Sequence, residues 1–324
     1  MSATILVTGS SGTVGTGLTL ALLRAGYAVI PLDIKRSLWD KGIDRKTIFH
    51  DLRKPLDKLR LAGLPDLIVH LAANARVHDS VKDPSLARDN YLMTYNILEF
   101  ARARGIKRIL FSSSREIYGE SRAGERRKEE SAMLTAMQSP YTASKYGSEA
   151  LLHSYHGCYG IKPVIARLSN VYGKYDVSER VIPLFIYYAL RDRELTVFGK
   201  EKKLDFTYID DCTNGLLQIV KRFDLMAGLT FNICTGRGNR IIDLAKSIIQ
   251  LLDSRSKIRL GSKRAGEISS FVGDITLARK QLGYEPEVTL QQGLPLTVDW
   301  YRQVMKSRRV YNAQRRILRQ RGWA

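Results

Sequence analysis

The hydrophobic pattern of the first 170 residues switches repeatedly between two periods. Residues 5–8 form a short apolar run that stops at Gly9, the mark of a buried strand. Val14, Leu18, Leu22 and Ala25 then fall at helical spacing, with Gly26 as a stop. Residues 28–32 are a second strand-like run ending at Asp33, and 47–49 a weaker third. Residues 67–71, 108–111 and 164–168 complete six, with a long helical stretch over 86–104 between two of them. Strands alternating with helices predict right-handed crossovers and a parallel sheet covered on both faces.

Beyond about residue 170 the alternation becomes irregular. The reading is therefore an α/β protein: a Rossmann-type doubly wound parallel sheet over 1–170, joined by parts of 204–240. A smaller mixed α/β substrate domain and a basic tail over 171–324 close a cleft at the sheet's carboxyl edge. The charged stretch 120–130 reads as an exposed loop.

Composition narrows the class. A chain that is 44% hydrophobic and 26% charged is globular, not disordered. No apolar run reaches about 18 residues, and no signal-like segment opens the chain. Three cysteines form no CxxC pair or even framework, which predicts a reducing, cytoplasmic setting. The five histidines show no zinc-type spacing, so no metal is expected.

Charge adds a further feature. Lys and Arg number 52 against 32 Asp and Glu, a net charge of +20, and eight of the basic residues follow Asp299, the last acid. A basic surface favours anionic partners, or it simply keeps the protein dissolved. The tail over 301–324 reads either as a surface helix closing the second domain or as a basic helix meeting anionic lipid, nucleic acid or a protein partner.

The chemistry begins with Gly9-Ser-Ser-Gly12-Thr13-Val14-Gly15, set between the first strand and the first helix. Glycines there permit a tight turn and bring backbone N–H groups close to a pyrophosphate at a helix N-terminus. Asp33 lies 18 positions on, where a carboxylate can bond both ribose hydroxyls and repel a 2′-phosphate, so the cofactor predicted is NAD. Asp51 either accepts the adenine amino group or caps a helix. His70-Leu71-Ala72-Ala73 ends the fourth strand in small residues that let a cofactor lie against the backbone.

Tyr141-Thr-Ala-Ser-Lys145 is the catalytic candidate. About one such spacing is expected by chance in a chain with 16 Tyr, so its position carries the weight. It opens a helix after Ser139-Pro140 and follows a strand ending Ser112-Ser113-Ser114. On a helix, Lys145 sits one turn from Tyr141. A neighbouring ammonium is expected to lower the phenol from about 10 toward neutrality and make it a general base, while Ser114 holds the same substrate oxygen.

With these residues in order, the chain resembles an extended short-chain dehydrogenase/reductase of the NAD-dependent nucleotide-sugar epimerase/dehydratase family. The matching segments are TGSSGTVG (8–15), LD (32–33), HLAA (70–73), FSSSREIYG (111–119), SPYTASK (139–145), ARLSNVYG (166–173), LDFTYIDD (204–211), FNICTG (231–236) and KRAGE (263–267).

The resemblance implies NAD bound by Gly9, Gly12, Thr13, Val14, Gly15, Asp33, Asp51, Leu52, Leu71, Ala72, Ala73, Asn90 and Ser112, with Tyr141 and Lys145. Ser114, Tyr141 and Lys145 match the catalytic set. Asn170 and Arg264 would hold a sugar-nucleotide diphosphate, or be a turn asparagine and a solvated charge. The family also implies homodimers through helices at 86–104 and 141–159.

Departures bear on the substrate. Leu204 stands where many relatives carry a diphosphate-binding Arg, with Lys202 and Lys203 just upstream. Glu116 matches decarboxylases and 4,6-dehydratases of the family, and is expected to join the catalytic group. Arg115 replaces the dehydratases' acid, and either pairs with Glu116 or meets a substrate carboxylate. The expected activity is 4-epimerisation of a UDP-hexose or UDP-hexuronate through a 4-keto sugar. The alternatives are decarboxylation or dehydration on the same scaffold, or non-enzymatic NAD or nucleic-acid binding.

Overall fold

The computed structural model describes residues 3–122 and 124–320; residues 1, 2, 123 and 321–324, the end of the basic tail among them, lie outside it. In chain order the first half runs β1 (Thr4–Thr8), α1 (Thr13–Arg24), β2 (Ala28–Asp33), α2 (Lys41–Lys46), β3 (Ile48–Phe49), β4 (Leu67–His70), α3 (Val77–Lys82), α4 (Ser85–Arg104), β5 (Arg108–Ser114), α5 (Pro140–Tyr159) and β6 (Lys162–Leu168). The second half runs β7 (Asn170–Tyr172), α6 (Val181–Ala189), β8 (Leu195–Phe198), β9 (Lys203–Tyr208), α7 (Ile209–Lys221), α8 (Phe223–Met226), β10 (Thr230–Ile233), β11 (Gly238–Arg240), α9 (Ile241–Leu252), β12 (Ile258–Gly261), β13 (Ser270–Phe271), α10 (Thr276–Leu282), α11 (Leu290–Val304) and α12 (Arg308–Gln320).

Seven strands form one sheet in the order β10-β6-β5-β4-β1-β2-β3, and every pairing in it is parallel. Strand alternation sends neighbouring side chains to opposite faces. Ile5 and Val7 join Leu18 and Leu22 of α1 and Leu216 of α7 on one side. Leu6 and Ile68 join Ile97 and Leu98 of α4 and Leu152 of α5 on the other. The sheet is thus doubly wound, and its ligand edge is where the carboxyl ends of β1, β4 and β5 meet.

The other strands build smaller sheets. β9 is flanked by β11 and β13 and also pairs with β7, while β12 pairs with β8. β10 is the exception: it comes from the second half but adds to β6, with Thr230 opposite Ile165.

Among its described residues the stretch 120–130 is a loop with Arg122, Arg126, Lys128 and Glu130 exposed, as its charge predicts, but it is also tied to the small sheet. Ser121 and Arg127 donate backbone N–H groups to Ser270 and Val272, and Glu120 accepts from the N–H groups of Ser269 and Ser270. Glu120 also pairs with Lys263, a distant partner that local polarity does not reveal, while Arg127 pairs with nearby Glu125.

Candidate active site

At the end of β1 the chain turns through Gly9 at φ +70° and enters α1. A Cβ on Gly9 would stand 2.8 Å from the Ala72 nitrogen, and one on Gly15 would penetrate the Gly9 carbonyl. The turn is therefore closed by backbone alone. Gly12 caps α1 without a side chain, leaving the N–H groups of Thr13, Val14 and Gly15 in the first turn without helical partners. The Thr13 hydroxyl itself is engaged, donating to the Tyr175 carbonyl at 3.0 Å.

Asp33 ends β2 with its carboxylate facing the turn, accepting from the Ser11 N–H at 2.9 Å and the Lys35 N–H at 2.8 Å. Thr8 accepts from the N–H groups of Leu71 and Ala72 and bonds His70 Nδ1 at 2.8 Å, which fixes the strip 71–73 beside the turn. Burial, and then the Lys145 charge, drive His70 down to about 3, so it is neutral in the fold.

Asp51 and Leu52, expected near the adenine, lie in the segment after β3. Asp51 starts no helix: it closes a turn to Lys54 and pairs with Arg53 at 2.7 Å, which lowers its carboxyl. Leu52 buries its side chain in the core, and its carbonyl accepts from Asn96. Asn90 bonds Asn74 through both ends of its amide and Ser144 as well, so it fastens the 74 loop to α5.

The catalytic candidates converge. Ser139 caps α5, Pro140 occupies its first turn, and Ser80 of α3 accepts the Tyr141 N–H. The phenol is buried and hydrogen-bonded to Ser114. Lys145 Nζ donates to the Ser112 carbonyl at 2.7 Å and lies 4.7 Å from the Phe111 ring centre. Burial lowers Lys145 to about 8, so it is mostly charged at pH 7.

The expected electrostatics of Tyr141 need correcting. Burial holds the phenol above 10, and the Ser114 bond only partly offsets it. The next influences are Glu116, Arg180 and Arg115; Lys145 does not rank among them. Its ammonium is directed into a carbonyl instead.

Arg115 and Glu116 are both buried and paired at 2.7 Å. Burial raises the Glu116 carboxyl against the lowering effect of Arg115. Asn170 donates to the Asp205 carbonyl at 2.8 Å, on the central strand of the small sheet. Arg264 is not a solvated charge: its guanidinium lies 3.7 Å from the Phe198 ring centre and 3.6 Å from Glu267. Lys202, just upstream of Leu204, is bound to the same Glu267 at 2.6 Å.

Arg76 and Arg180 escaped the sequence reading. Arg76 pairs with Glu179 at 3.4 Å, and burial with the Arg180 charge lowers it to about 10. Arg180 thus acts on both Arg76 and Tyr141, a half-buried cation near the Tyr141 phenol. No local motif marks it; only the fold brings its charge to Tyr141.

Residues 5–234 match the model of the NAD dependent epimerase/dehydratase family. A UDP-glucose 4-epimerase from Thermus thermophilus, solved in complex with NAD, superposes with a TM-score of 0.84 at 29% identity, over 92% of this chain and 99% of that one. A dTDP-glucose 4,6-dehydratase of Xanthomonas campestris is 28% identical over 92% of this chain and 93% of its own. A UDP-glucuronate 4-epimerase of Thermodesulfobacterium geofontis is 28% identical over 91% and 95%.

Proposed function

Because the chain belongs to the NAD-dependent epimerase/dehydratase family and uses NAD, we propose that it is a nucleotide-sugar 4-epimerase. Its substrate on this reading is a UDP-hexose or UDP-hexuronate, and the reaction passes through a transient 4-keto sugar. The observation that carries the reading is the buried Tyr141–Ser114 pair, on the same sheet edge as the glycine turn.

The residues present fit the cofactor. A turn that admits no Cβ at Gly9 or Gly15, opening on free helix N–H groups, suits a pyrophosphate. The Asp33 carboxylate suits ribose hydroxyls. Bound NAD supplies the hydride acceptor, and afterwards the donor, that epimerisation needs.

Tyr141 takes the proton of the C4 hydroxyl and later returns it, while Ser114 holds that oxygen. Arg180 adds positive charge near the phenol as it ionises, while Lys145 is held on the Ser112 carbonyl. Arg264 and Asn170 hold the diphosphate, so the keto sugar is free to present its other face. Exposed Tyr91, Tyr95 and Tyr159 on α4 and α5 support a homodimer through those helices.

Arg115 bears on the outcome. A guanidinium stays protonated at neutral pH and cannot supply the acid that expulsion of water requires. That favours epimerisation over dehydration. The raised carboxyl of Glu116 is the observation favouring the second reading, a decarboxylase or dehydratase.

The test is a panel of UDP-glucose, UDP-galactose, UDP-glucuronate, UDP-galacturonate and dTDP-glucose, with products resolved by chromatography and mass. An epimer of unchanged mass is expected. Loss of water or carbon dioxide overturns the epimerase in favour of the second reading. Tyr141→Phe should slow turnover by about 10²–10⁴-fold, the usual loss when a general base is removed.

A further inference from the structure

After Asp299 the chain carries no acidic residue, and α12 turns that bias into a one-sided surface. Val310, Gln314 and Leu318 are buried against the body. Arg308, Arg309, Arg315, Arg316 and Arg319 are exposed. Arg309 donates to the Ser37 carbonyl at 3.0 Å, fastening the helix to the loop after β2. Arg308, Arg315, Arg316 and Arg319 form no ion pair or hydrogen bond among the described residues. Beyond that loop, α2 adds exposed Lys41, Arg45 and Lys46.

We propose that α12 docks the protein on the surface of an anionic lipid bilayer, through its arginines and without insertion. The apolar seam of the helix is already used by the protein, so no face remains to sink among acyl chains. Attraction between charges is what is left. The helix is about 20 Å long and rigidly seated, so its exposed cations meet a plane together.

A single-stranded polynucleotide calls for rings on which bases stack. The exposed positions of α12 hold Arg, Asn312 and Gln320, and Tyr311 is half-buried under Arg191. Each basic residue near an anionic leaflet strengthens attachment about fivefold. Ions at 0.15 M screen charges beyond about 8 Å, so the contact must be close and salt-sensitive.

Co-sedimentation of the full-length protein with vesicles tests this. Vesicles of 70% phosphatidylcholine and 30% phosphatidylglycerol should pellet the protein at 0.1 M NaCl. Pure phosphatidylcholine vesicles, or 0.5 M NaCl, should leave it in solution. The quadruple variant R308Q/R315Q/R316Q/R319Q should bind about 10²–10³-fold more weakly, with unchanged circular dichroism and nucleotide-sugar turnover. Equal binding by the variant, no binding to anionic vesicles, or tighter binding to a 24-mer of single- or double-stranded DNA at matched charge would each overturn the proposal. Turnover is read separately, so failure here leaves the epimerase reading standing.

Discussion

At the carboxyl edge of the seven-stranded sheet, the surface offered to a ligand is mostly backbone. Gly9, Gly15 and the strip 71–73 crowd so closely that side chains are excluded, and Asp33 is oriented by two N–H groups. Around β9 the reverse holds. There the surface is made of charged side chains held by one another: Arg115 with Glu116, Lys202 with Glu267, Lys263 with Glu120. A site of backbone tolerates almost no added atom but needs little from distant sequence. A site of paired charges accepts changes of shape, yet fails when one partner is removed.

The largest expected effect breaks the backbone side. Gly15→Ala places a methyl group inside the Gly9 carbonyl, so the purified variant should retain no NAD, read from the nucleotide released on denaturation. Gly12→Ala meets the same oxygen at 3.3 Å and should keep most of its cofactor. Equal retention by the two would erase the contrast.

Next comes the paired-charge side. Arg115→Met strands a buried carboxylate and should cost about 3–5 kcal/mol in urea unfolding, without loss of bound NAD. The double variant R115M/E116Q should recover most of that. If the double variant is no more stable than the single, the pair is not what the loss measures.

The smallest effect sits beneath the glycine turn, at His70, held near 3 in the fold against 6.5 when exposed. Below pH 6.5 the unfolded chain binds a proton that the native imidazole refuses, so stability falls as pH falls. The loss between pH 6.5 and 5 should be about 1.6 kcal/mol, and should be absent from the stability curve of His70→Asn.

This contrast explains what could be read beforehand. The glycine turn, Asp33 and Tyr141 with Lys145 were visible because backbone geometry and helix period write themselves into neighbouring residues. The Arg115–Glu116 pair joins neighbours and is one of the two readings the sequence offers, but the partners of Lys202 and Glu120 were not visible, since nothing local announces a contact across 60 or more positions, as from Lys202 to Glu267. Asn90 and Thr13 were assigned to the cofactor by pattern, and the fold also spends their side chains on Asn74, Ser144 and Tyr175. The direction of the Lys145 ammonium, into the Ser112 carbonyl, was beyond any spacing argument.

One consequence follows from β10 lying against β6. On the ribosome, the first six strands can emerge and pair while their last edge stays bare. That edge is covered only when Thr230–Ile233 leaves the exit tunnel, roughly sixty residues of synthesis after Leu168. During that interval the nascent chain carries an open, apolar strand, the point at which crowding by sister chains would do most harm.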